Sequence, residues 1–384
     1  MRIGIDVRYL SHGLVGGVHT YVAHFVPALI AAAAEHEIIL YADTKRPFEL
    51  ADLPERVKLR LLPYRGPHSS VLNDLLMRRA MAADRIDVGH FPANYGFAPR
   101  QARSVITLHD AINLMPLTEI IRGHGKDLRT VAMMSYLHLM STAALRRADL
   151  VVTVSAHAAR EIARYSGYDP ARIVAVHHAP TPDLRRITDP ATLDAVRARY
   201  QLPARFVLAD GLKNPAVLIR AWPHLPETMR RDTRLVFFAR REPLPIVREA
   251  EAAGIALLLI NPPRQDLVAL YSMADAFAFP SWIEGFGIPI LEAMTCGAAV
   301  IASDRGSIPE VAGTAALIAD AEDERAFAAH LTQVLGNSHT AAALRERGYA
   351  RAAQFSWQRT AQAILTSYEC VVQDRRLQVL ESEL

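Results

Sequence analysis

Two glutamates that flank a glycine-containing segment are the first candidates for chemistry. They open and close the run E-G-F-G-I-P-I-L-E at residues 284–292. The two glycines let backbone N–H groups approach an anion closely, because no Cβ stands in the way. Carboxylates repel phosphate, so Glu284 and Glu292 fit better as acceptors of hydrogen bonds from sugar hydroxyl groups. From spacing alone, an ordinary polar loop with Glu292 on a solvated helix face explains the segment equally well.

The elements around this segment favour an anion-binding loop. An apolar run at 276–279 predicts a buried strand before it, and residues 291–296 have a helical pattern after it. Pro289 suits the first turn of that helix, where its missing N–H costs nothing. The helix N-terminus would offer unpaired N–H groups and a partial positive charge to a phosphate. In open α/β sheets, ligands bind beyond the carboxyl ends of the strands.

Strands and helices alternate along most of the chain. Short apolar runs at 3–7, 38–41, 88–91, 105–108, 150–154 and 173–176 predict one set of strands, and runs at 206–209, 235–239, 256–260, 276–279, 299–302 and 315–318 predict another. This alternation predicts two parallel α/β units. A proline-containing segment at 178–190 separates them as a linker. Pro27 lies in the first helical stripe, where it should bend the helix or move its start.

Three further positions follow predicted strands. Gly16 and Gly17 come after the first strand, His109 closes the strand at 105–108, and the pair Lys213-Asn214 follows the first strand of the second unit. Taken singly, each has an ordinary explanation. Tight turns use glycine, a lone histidine is usually structural, and most lysines are simply solvated.

The segment P-S-W-I-E-G-F-G-I-P-I-L-E-A-M-T-C-G at 280–297 closely resembles the E-x7-E signature of the family 4 retaining glycosyltransferases. Residues 266–271 and 303–311 resemble the segments that flank this signature. The resemblance implies that Glu284 contacts the donor sugar and that Glu292 binds the ribose hydroxyl groups. Backbone atoms of the intervening residues would hold the phosphate and the sugar (Gly285, Phe286, Gly287 and Ile288).

The same resemblance assigns roles to the three other positions. Gly16 and Gly17 would face the diphosphate, and His109 would lie near the transferred sugar. The pair Lys213-Asn214 resembles the family's K-N site, in which the lysine neutralises the leaving diphosphate and Asn214 would contact the donor. Two features depart from the family pattern: residues 206–212 contain no arginine, and residues 177–180 read H-H-A-P where the family commonly has N-G.

The resemblance also implies a GT-B fold, in which two Rossmann-like domains face each other across a cleft. We expect an acceptor domain at 1–185, completed by a C-terminal helix at 357–384 that crosses back to it, and a nucleotide-sugar-binding domain at 186–356. Ser356 would cap that helix. Transfer would retain the anomeric configuration, with the leaving diphosphate taking the acceptor proton.

Asp6, Arg8 and residues 91–95 resemble bacterial enzymes that build O-antigen or exopolysaccharide, many of them mannosyltransferases. GDP-mannose is therefore the favoured donor, with a UDP-hexose or dTDP-rhamnose as alternatives, and the acceptor would be a saccharide or lipid-linked saccharide. Two other functions stay open. One is a nucleotide-sugar 2-epimerase, which the signature disfavours. The other is a binding subunit without turnover, suggested by the missing arginine.

Composition limits the remaining function classes. The net charge of +3 argues against a dedicated nucleic-acid binder. Two cysteines cannot form a disulfide framework or a four-cysteine zinc site, and we expect neither a metal nor a cofactor. No apolar run is long enough to span a bilayer, so we expect a cytoplasmic protein with at most peripheral membrane contact. One basic stretch is either a solvated face or a patch for anionic lipid (Arg56, Lys58, Arg60, Arg65, Arg78 and Arg79).

Overall fold

A computed structural model of the chain describes residues 1–11, 16–45, 53–66, 69–122, 128–182 and 184–373. The chain divides into two compact units. Unit 1 comprises Met1–His178 together with the chain from Ser356 onward, and unit 2 comprises Ala179–Phe355.

Unit 1 is a seven-stranded parallel sheet with helices between its strands. The strands are β1 (Arg2–Asp6), β2 (Glu37–Asp43), β3 (Val57–Leu62), β4 (Val88–Phe91), β5 (Arg103–Leu108), β6 (Leu150–Thr153) and β7 (Ile173–Ala175). The helices are α1 (Arg8–Ser11), α2 (Gly17–Ala32), α3 (Ser69–Ala83), α4 (Leu117–Arg122), α5 (Leu128–Leu145) and α6 (Ala156–Ser166). The strand order β3-β2-β1-β4-β5-β6-β7 reverses direction between β1 and β4.

Unit 2 is built in the same way around six parallel strands. They are β8 (Arg205–Asp210), β9 (Thr233–Ala239), β10 (Ala256–Ile260), β11 (Ala276–Phe279), β12 (Val300–Ser303) and β13 (Ala316–Ala319). Its helices are α7 (Pro190–Tyr200), α8 (Pro215–Ala221), α9 (Glu227–Asp232), α10 (Pro245–Ala252), α11 (Arg264–Met273), α12 (Ile288–Thr295), α13 (Ile308–Ala312), α14 (Glu324–Gly336) and α15 (Ser338–Ala352). The order β10-β9-β8-β11-β12-β13 reverses between β8 and β11.

The last described helix, α16 (Trp357–Val372), belongs to unit 1 and packs on α2. Ser356 caps it as predicted, because its side chain accepts a hydrogen bond from the backbone N–H of Arg359. The buried Tyr368 hydroxyl lies 2.5 Å from Nδ1 of His90 on β4. This helix therefore completes the core of the first sheet through a polar contact as well as through apolar packing.

The predicted alternation of strands and helices is confirmed, with two local differences. The sequence did not indicate β3, because four of its six residues are exposed at the edge of the sheet, and such a strand lacks the apolar run of a central parallel strand. Helix α2 begins at Gly17 and continues through Pro27, which is exposed. The proline ring thus lies on the solvent side, where it displaces no core packing.

Candidate functional site

The candidate site of unit 2 lies where the strand order of its sheet reverses, beyond the carboxyl ends of β8 and β11. Lys213 follows β8 and Glu284 follows β11. Because these strands are neighbours, their loops leave the same edge of the sheet. The two side chains form an ion pair, with Nζ of Lys213 2.7 Å from Oε1 of Glu284. The structure therefore brings together two of the three predicted catalytic residues.

This ion pair is accessible at its cationic end. The Lys213 side chain is 38% exposed, whereas that of Glu284 is 14% exposed. Oε1 of Glu284 also accepts a hydrogen bond of 2.8 Å from the hydroxyl of Ser281. The carboxylate is thus fixed from two sides, while the lysine side chain remains partly open to solvent.

The loop after β11 is shaped by a second segment that packs against its backbone. The Ser307 hydroxyl donates to the carbonyl oxygens of Glu284 at 3.1 Å and Phe286 at 2.9 Å. Gly306 has a φ of +61°, and a Cβ there would lie 2.6 Å from the Glu284 carbonyl oxygen. Only glycine fits this approach. Residues 306–307 therefore hold the conformation that presents Glu284.

Gly287 and Ile288 form the start of helix α12. Gly287 is the residue before the helix and has a left-handed φ of 96°, and Pro289 occupies the first turn as predicted. The Phe286 side chain is buried with its ring edge-on to Phe355, the centroids 5.9 Å apart. Phe286 thus anchors the loop through its side chain. Contact with a ligand from residues 285–288 would then come mainly from the backbone, as the resemblance implies.

Asn214 has a structural role that the sequence did not indicate. Its buried amide nitrogen donates to the carbonyl oxygens of Pro280 at 3.0 Å and Ala321 at 2.9 Å. The residue has a positive φ of 51° and stands directly before α8, a conformation that asparagine tolerates better than most residues. Its Nδ2 therefore ties the loop after β8 to the ends of β11 and β13, and a donor contact from Asn214 would have to use other atoms.

A second cation acts on the same carboxyl group as Lys213. Burial raises the pKa of the Asp210 carboxyl at the end of β8, the backbone N–H of Leu212 and the charges of Lys213 and Arg240 act against that shift, and Glu284 adds to it. The four charged side chains thus share one electrostatic environment. Arg240 directly follows β9, the strand on the other side of β8. It supplies a cation to this edge of the sheet, although residues 206–212 contain no arginine.

Glu292 pairs with an arginine that sequence reasoning missed. Nη2 of Arg264 lies 2.5 Å from Oε1 of Glu292 and donates to the Thr181 hydroxyl at 2.9 Å. The Glu292 side chain is 8% exposed and that of Arg264 43% exposed. Arg264 opens α11 directly before the segment 266–271 that carries the resemblance, which is the signal that could have found it.

In unit 1, His109 follows β5 as predicted and is held by two neighbours. Its Nε2 lies 2.8 Å from the carbonyl oxygen of Pro92, and its backbone N–H donates to Oδ1 of Asn94 at 3.1 Å. Burial lowers the pKa of His109 to about 4, and the Pro92 carbonyl offsets this only in part. The ring is therefore neutral at pH 7. Because a carbonyl can only accept, we assign the proton to Nε2, which leaves a lone pair on Nδ1.

Aromatic rings surround His109. Tyr21 lies edge-on to it at 5.1 Å and His178 at 5.6 Å, and Trp357 approaches both Tyr21 and His178. His178, within the segment 177–180 that departs from the family pattern, is thus part of an aromatic cluster. Such packing orients the partly buried His109 imidazole.

Gly16 and Gly17 lie at the start of α2. A Cβ built at either position would meet no heavy atom within 4 Å. The backbone of Gly16 is extended, with φ 161°, which any residue can adopt. Neither packing nor conformation within the described residues requires glycine here, so the proposed approach to a diphosphate stays a prediction.

Three observations bear on metals, membranes and thiols. Among the described residues, no three histidine, cysteine, aspartate or glutamate side chains are grouped so that they could hold a metal ion. No helix in the described part of the chain has the length and apolar character to cross a bilayer. Cys296 is buried and Cys370 partly buried, and both are free thiols.

Two parallel sheets of Rossmann type, with a polar site at the reversal point of the second, are the architecture of the GT-B fold. The model of the glycosyl transferases group 1 family matches residues 209–351, and that of glycosyltransferase family 4 matches residues 15–183. The chain belongs to the family 4 (group 1) glycosyltransferases and is a hexosyltransferase.

Relatives and solved structures agree with this assignment. The chain is 35% identical to the O-antigen chain mannosyltransferase B of Escherichia coli, over 72% of each chain. It is 29% identical to the serotype-specific mannosyltransferase WbdA of E. coli over 62% of its own length, but spans only 30% of that relative. The fold is similar to sucrose-phosphate synthase from Thermosynechococcus elongatus, with 19% identity, a TM-score of 0.69, and coverage of 97% of this chain and 99% of the other.

Proposed function

We propose that the protein transfers a mannosyl group from GDP-mannose to a saccharide or lipid-linked saccharide during surface polysaccharide synthesis, with retention of configuration. The observation that carries this proposal is the Lys213–Glu284 ion pair at the reversal point of the second sheet. The names of the two E. coli relatives support mannose as the sugar.

Binding of the donor would redistribute this ion pair. A diphosphate brings two or more negative charges, so it competes with Glu284 for the exposed Lys213 ammonium. Once its lysine partner is shared, the Glu284 carboxylate can accept a hydrogen bond from a hydroxyl group of the sugar. One contact thus couples the arrival of phosphate to the recognition of sugar.

The chemical step would depend on charge stabilisation. The bond between the anomeric carbon and the phosphate oxygen breaks, the acceptor oxygen bonds to that carbon, and the acceptor proton passes to the leaving diphosphate. Lys213, Arg240 and the N-terminus of α12 would stabilise the charge that develops on the diphosphate. Glu292 and Arg264 would form the ribose end of the site. With cationic protein groups in this role, we expect no requirement for a divalent metal.

A donor panel tests the proposal. GDP-mannose, a UDP-hexose and dTDP-rhamnose would be compared by thermal shift after EDTA treatment. A ligand at 100 times its dissociation constant adds about 2.7 kcal/mol of stability, and we expect GDP-mannose to rank first. Transfer to a saccharide acceptor would then be measured with and without Mg²⁺. Loss of activity with EDTA and recovery with Mg²⁺ would contradict the charge-stabilisation scheme.

The same assay separates the two alternative functions. A 2-epimerase would release the free nucleotide and an epimerised sugar without an acceptor. A binding subunit would bind the donor but neither hydrolyse nor transfer it. Arg240, which acts with Lys213 on the Asp210 carboxyl, favours turnover, because it supplies a cation to a chain whose residues 206–212 lack the arginine of the family pattern.

We further propose peripheral contact between unit 1 and an anionic membrane surface. Leu59 and Leu61 on β3 and Leu72 and Leu75 on α3 are 42–55% exposed, and α3 also presents the exposed Arg79. Apolar side chains with nearby basic residues fit the boundary of an anionic bilayer. Within the basic stretch, however, Lys58 is paired with Glu37 and Arg60 with Asp84, so much of its charge is already neutralised.

Vesicle sedimentation tests this contact. Leu72→Ser combined with Leu75→Ser should reduce binding to phosphatidylglycerol vesicles, while Leu244→Ser, at a 49% exposed position in unit 2, should not. Equal sedimentation of all three proteins would contradict the proposal.

A further inference from the structure

The first sheet also carries a polar cluster at the point where its strand order reverses. β1 ends at Asp6, with Arg8 two residues later, and Tyr95 follows β4. Asp74 on α3 and Tyr136 on α5 join them. In open α/β sheets this reversal point is where ligands bind. The position therefore corresponds to that of Lys213 and Glu284 in the second sheet.

Arg8 is the centre of this cluster and is fully engaged. Its Nε donates to Oδ1 of Asp6 at 3.0 Å, and its Nη2 lies 2.8 Å from Oδ2 of Asp6 and 2.7 Å from Oδ1 of Asp74. Its side chain is only 9% exposed. Burial alone would lower the pKa of Arg8, but the two carboxylates outweigh it and raise the pKa. This guanidinium can therefore orient the carboxylates but cannot turn outward to bind an anion.

Asp74 keeps one oxygen turned away from Arg8. Within the described part of the chain, Oδ2 of Asp74 accepts a hydrogen bond from the Tyr136 hydroxyl at 3.4 Å, a long contact, and the Asp74 side chain is 15% exposed. The Tyr136 ring lies edge-on to Tyr95, with centroids 6.0 Å apart, and both tyrosines are partly exposed. A carboxylate oxygen beside two amphipathic rings suits a ligand with both hydroxyl groups and apolar C–H faces.

The charge of the cluster indicates the class of ligand. Two carboxylates and one guanidinium leave a net charge of about −1. Phosphate would be repelled here, because the one cation is already satisfied, whereas a neutral polyol can donate hydroxyl protons to Asp74. The cluster thus carries one more negative charge than the four charged groups at the reversal point of unit 2, where two cations stand against two carboxyl groups.

We infer that Asp74, positioned by Arg8, and the Tyr95–Tyr136 pair form the subsite for the acceptor, and that this subsite selects a neutral saccharide over a phosphorylated one. The inference rests on the proposed transferase function. It adds two points to that function: which residues recognise the acceptor, and that the acceptor is uncharged.

Acceptor kinetics test the inference. Octyl α-D-mannoside and its 6-phosphate would be compared as acceptors with GDP-mannose as donor. The unmodified enzyme should prefer the neutral acceptor at least tenfold in kcat/KM. Asp74→Asn should raise the KM for the neutral acceptor about tenfold or more and narrow that preference, while the donor dissociation constant from calorimetry stays within twofold. Arg8 keeps Asp6 as a partner in this variant.

Two further variants keep the test decisive. Tyr136→Phe removes one hydroxyl but leaves the Arg8 ion pairs intact, and it should raise the acceptor KM severalfold even if Asp74→Asn is unstable. Asp149→Asn is the matched control. Asp149 pairs with Arg103 and directly precedes β6, so it lies at the amino-terminal ends of the strands of the same sheet. This variant should leave the acceptor kinetics unchanged.

The outcomes separate this inference from the proposed function. Failure of the unmodified protein to bind or turn over any nucleotide-sugar would refute the proposed function. Normal transfer with an unchanged acceptor KM in both Asp74→Asn and Tyr136→Phe, or a preference of the unmodified enzyme for the phosphorylated acceptor, would refute the subsite alone.

Discussion

The two sheets each place a cation where their strand order reverses, but they hold it differently. In unit 1, Arg8 is buried between two carboxylates and has no freedom to change partners. In unit 2, Lys213 has one carboxylate partner and a side chain that is 38% exposed. An arginine with a planar fork is suited to the first arrangement, and a compact ammonium on a flexible stem to the second.

This difference shows how one architecture can bind two unlike ligands. A cation that is fully neutralised leaves its carboxylates to present oxygen atoms, which favours hydroxyl groups. In the proposed function, a cation that is exposed and forms one ion pair would shift toward a phosphate. The chemistry at each reversal point would thus depend on how deeply the cation is buried and on how many ion pairs hold it, although both units provide the carboxyl ends of parallel strands.

Loss of the mobile cation should have the largest effect. We expect Lys213→Ala to lower kcat by about 10²–10³, the effect of removing one preorganised electrostatic group. The loss should fall on kcat more than on donor binding, because charge on the diphosphate develops in the transition state. Lys213→Arg should recover only part of it.

Steady-state transfer with the preferred donor would measure this effect, with Lys45→Ala in unit 1 as the control. Unchanged turnover in Lys213→Ala would show that another cation, such as Arg240, holds the phosphate, and it would remove the basis for the comparison between the two sheets.

Removing the charge of the shared carboxylate should have the next largest effect. Glu284→Gln should lower kcat by about 10²-fold, near the upper range for a hydrogen bond to a charged group. Donor affinity should weaken little, because the variant also frees Lys213 to bind the diphosphate. Glu242→Gln, which affects an exposed ion pair with Arg248, is the matched control. Near-normal turnover in Glu284→Gln would exclude its proposed role.

The second ion pair of unit 2 should affect binding instead of turnover. Glu292→Ala should raise the donor KM about tenfold with little change in kcat, since ribose contacts contribute equally in the ground and transition states. Arg264→Ala should act in the same direction, because Arg264 orients the Glu292 carboxylate. A pure kcat defect in either variant, measured by the same assay, would contradict this division of labour.

Acidification should destabilise unit 1 more than unit 2, and this is the smallest effect that we expect. Burial lowers the pKa of His109 from 6.5 to about 4 and that of His90 to about 3, and it lowers the pKa of His178 well below its usual value. The histidines of the unfolded chain take up protons near pH 6.5, whereas those of the folded chain do not. The free energy of unfolding is therefore highest above pH 6.5 and falls as the pH drops below it. Each histidine should lower the free energy of unfolding by about 1 kcal/mol between pH 6.5 and 5.5.

Hydrogen exchange at the two pH values would resolve this loss by peptide. Protection in β4 and β5 should fall more than protection in β8 and β11. His90→Gln should reduce the pH dependence of unit 1, and His339→Gln, at an exposed position in unit 2, should not. Equal losses in both units would contradict the assignment.

The local pattern of the sequence alone predicted most strands, the start of the last described helix and the loop of the candidate site. The apolar runs located most strands, because a central parallel strand must be buried on both faces. The capping residue Ser356 located the start of α16, and the segment at 284–292 identified the loop after β11. Such features depend on neighbours in the chain, so they can be read without a structure. The exposed edge strand β3 lacked the signal, since its outer residues are polar or solvated.

Tertiary structure decided which charged groups meet. Glu284 was predicted to contact a sugar and Lys213 a diphosphate, but only the adjacency of β8 and β11 shows that they pair with each other. Arg264 reaches Glu292 from another helix, and Arg8 meets Asp74 from 66 positions away. Periodicity specifies that strands exist but carries no record of their order in the sheet. Since that order sets which loops share an edge, the partners of each charge emerge only when the chain has folded.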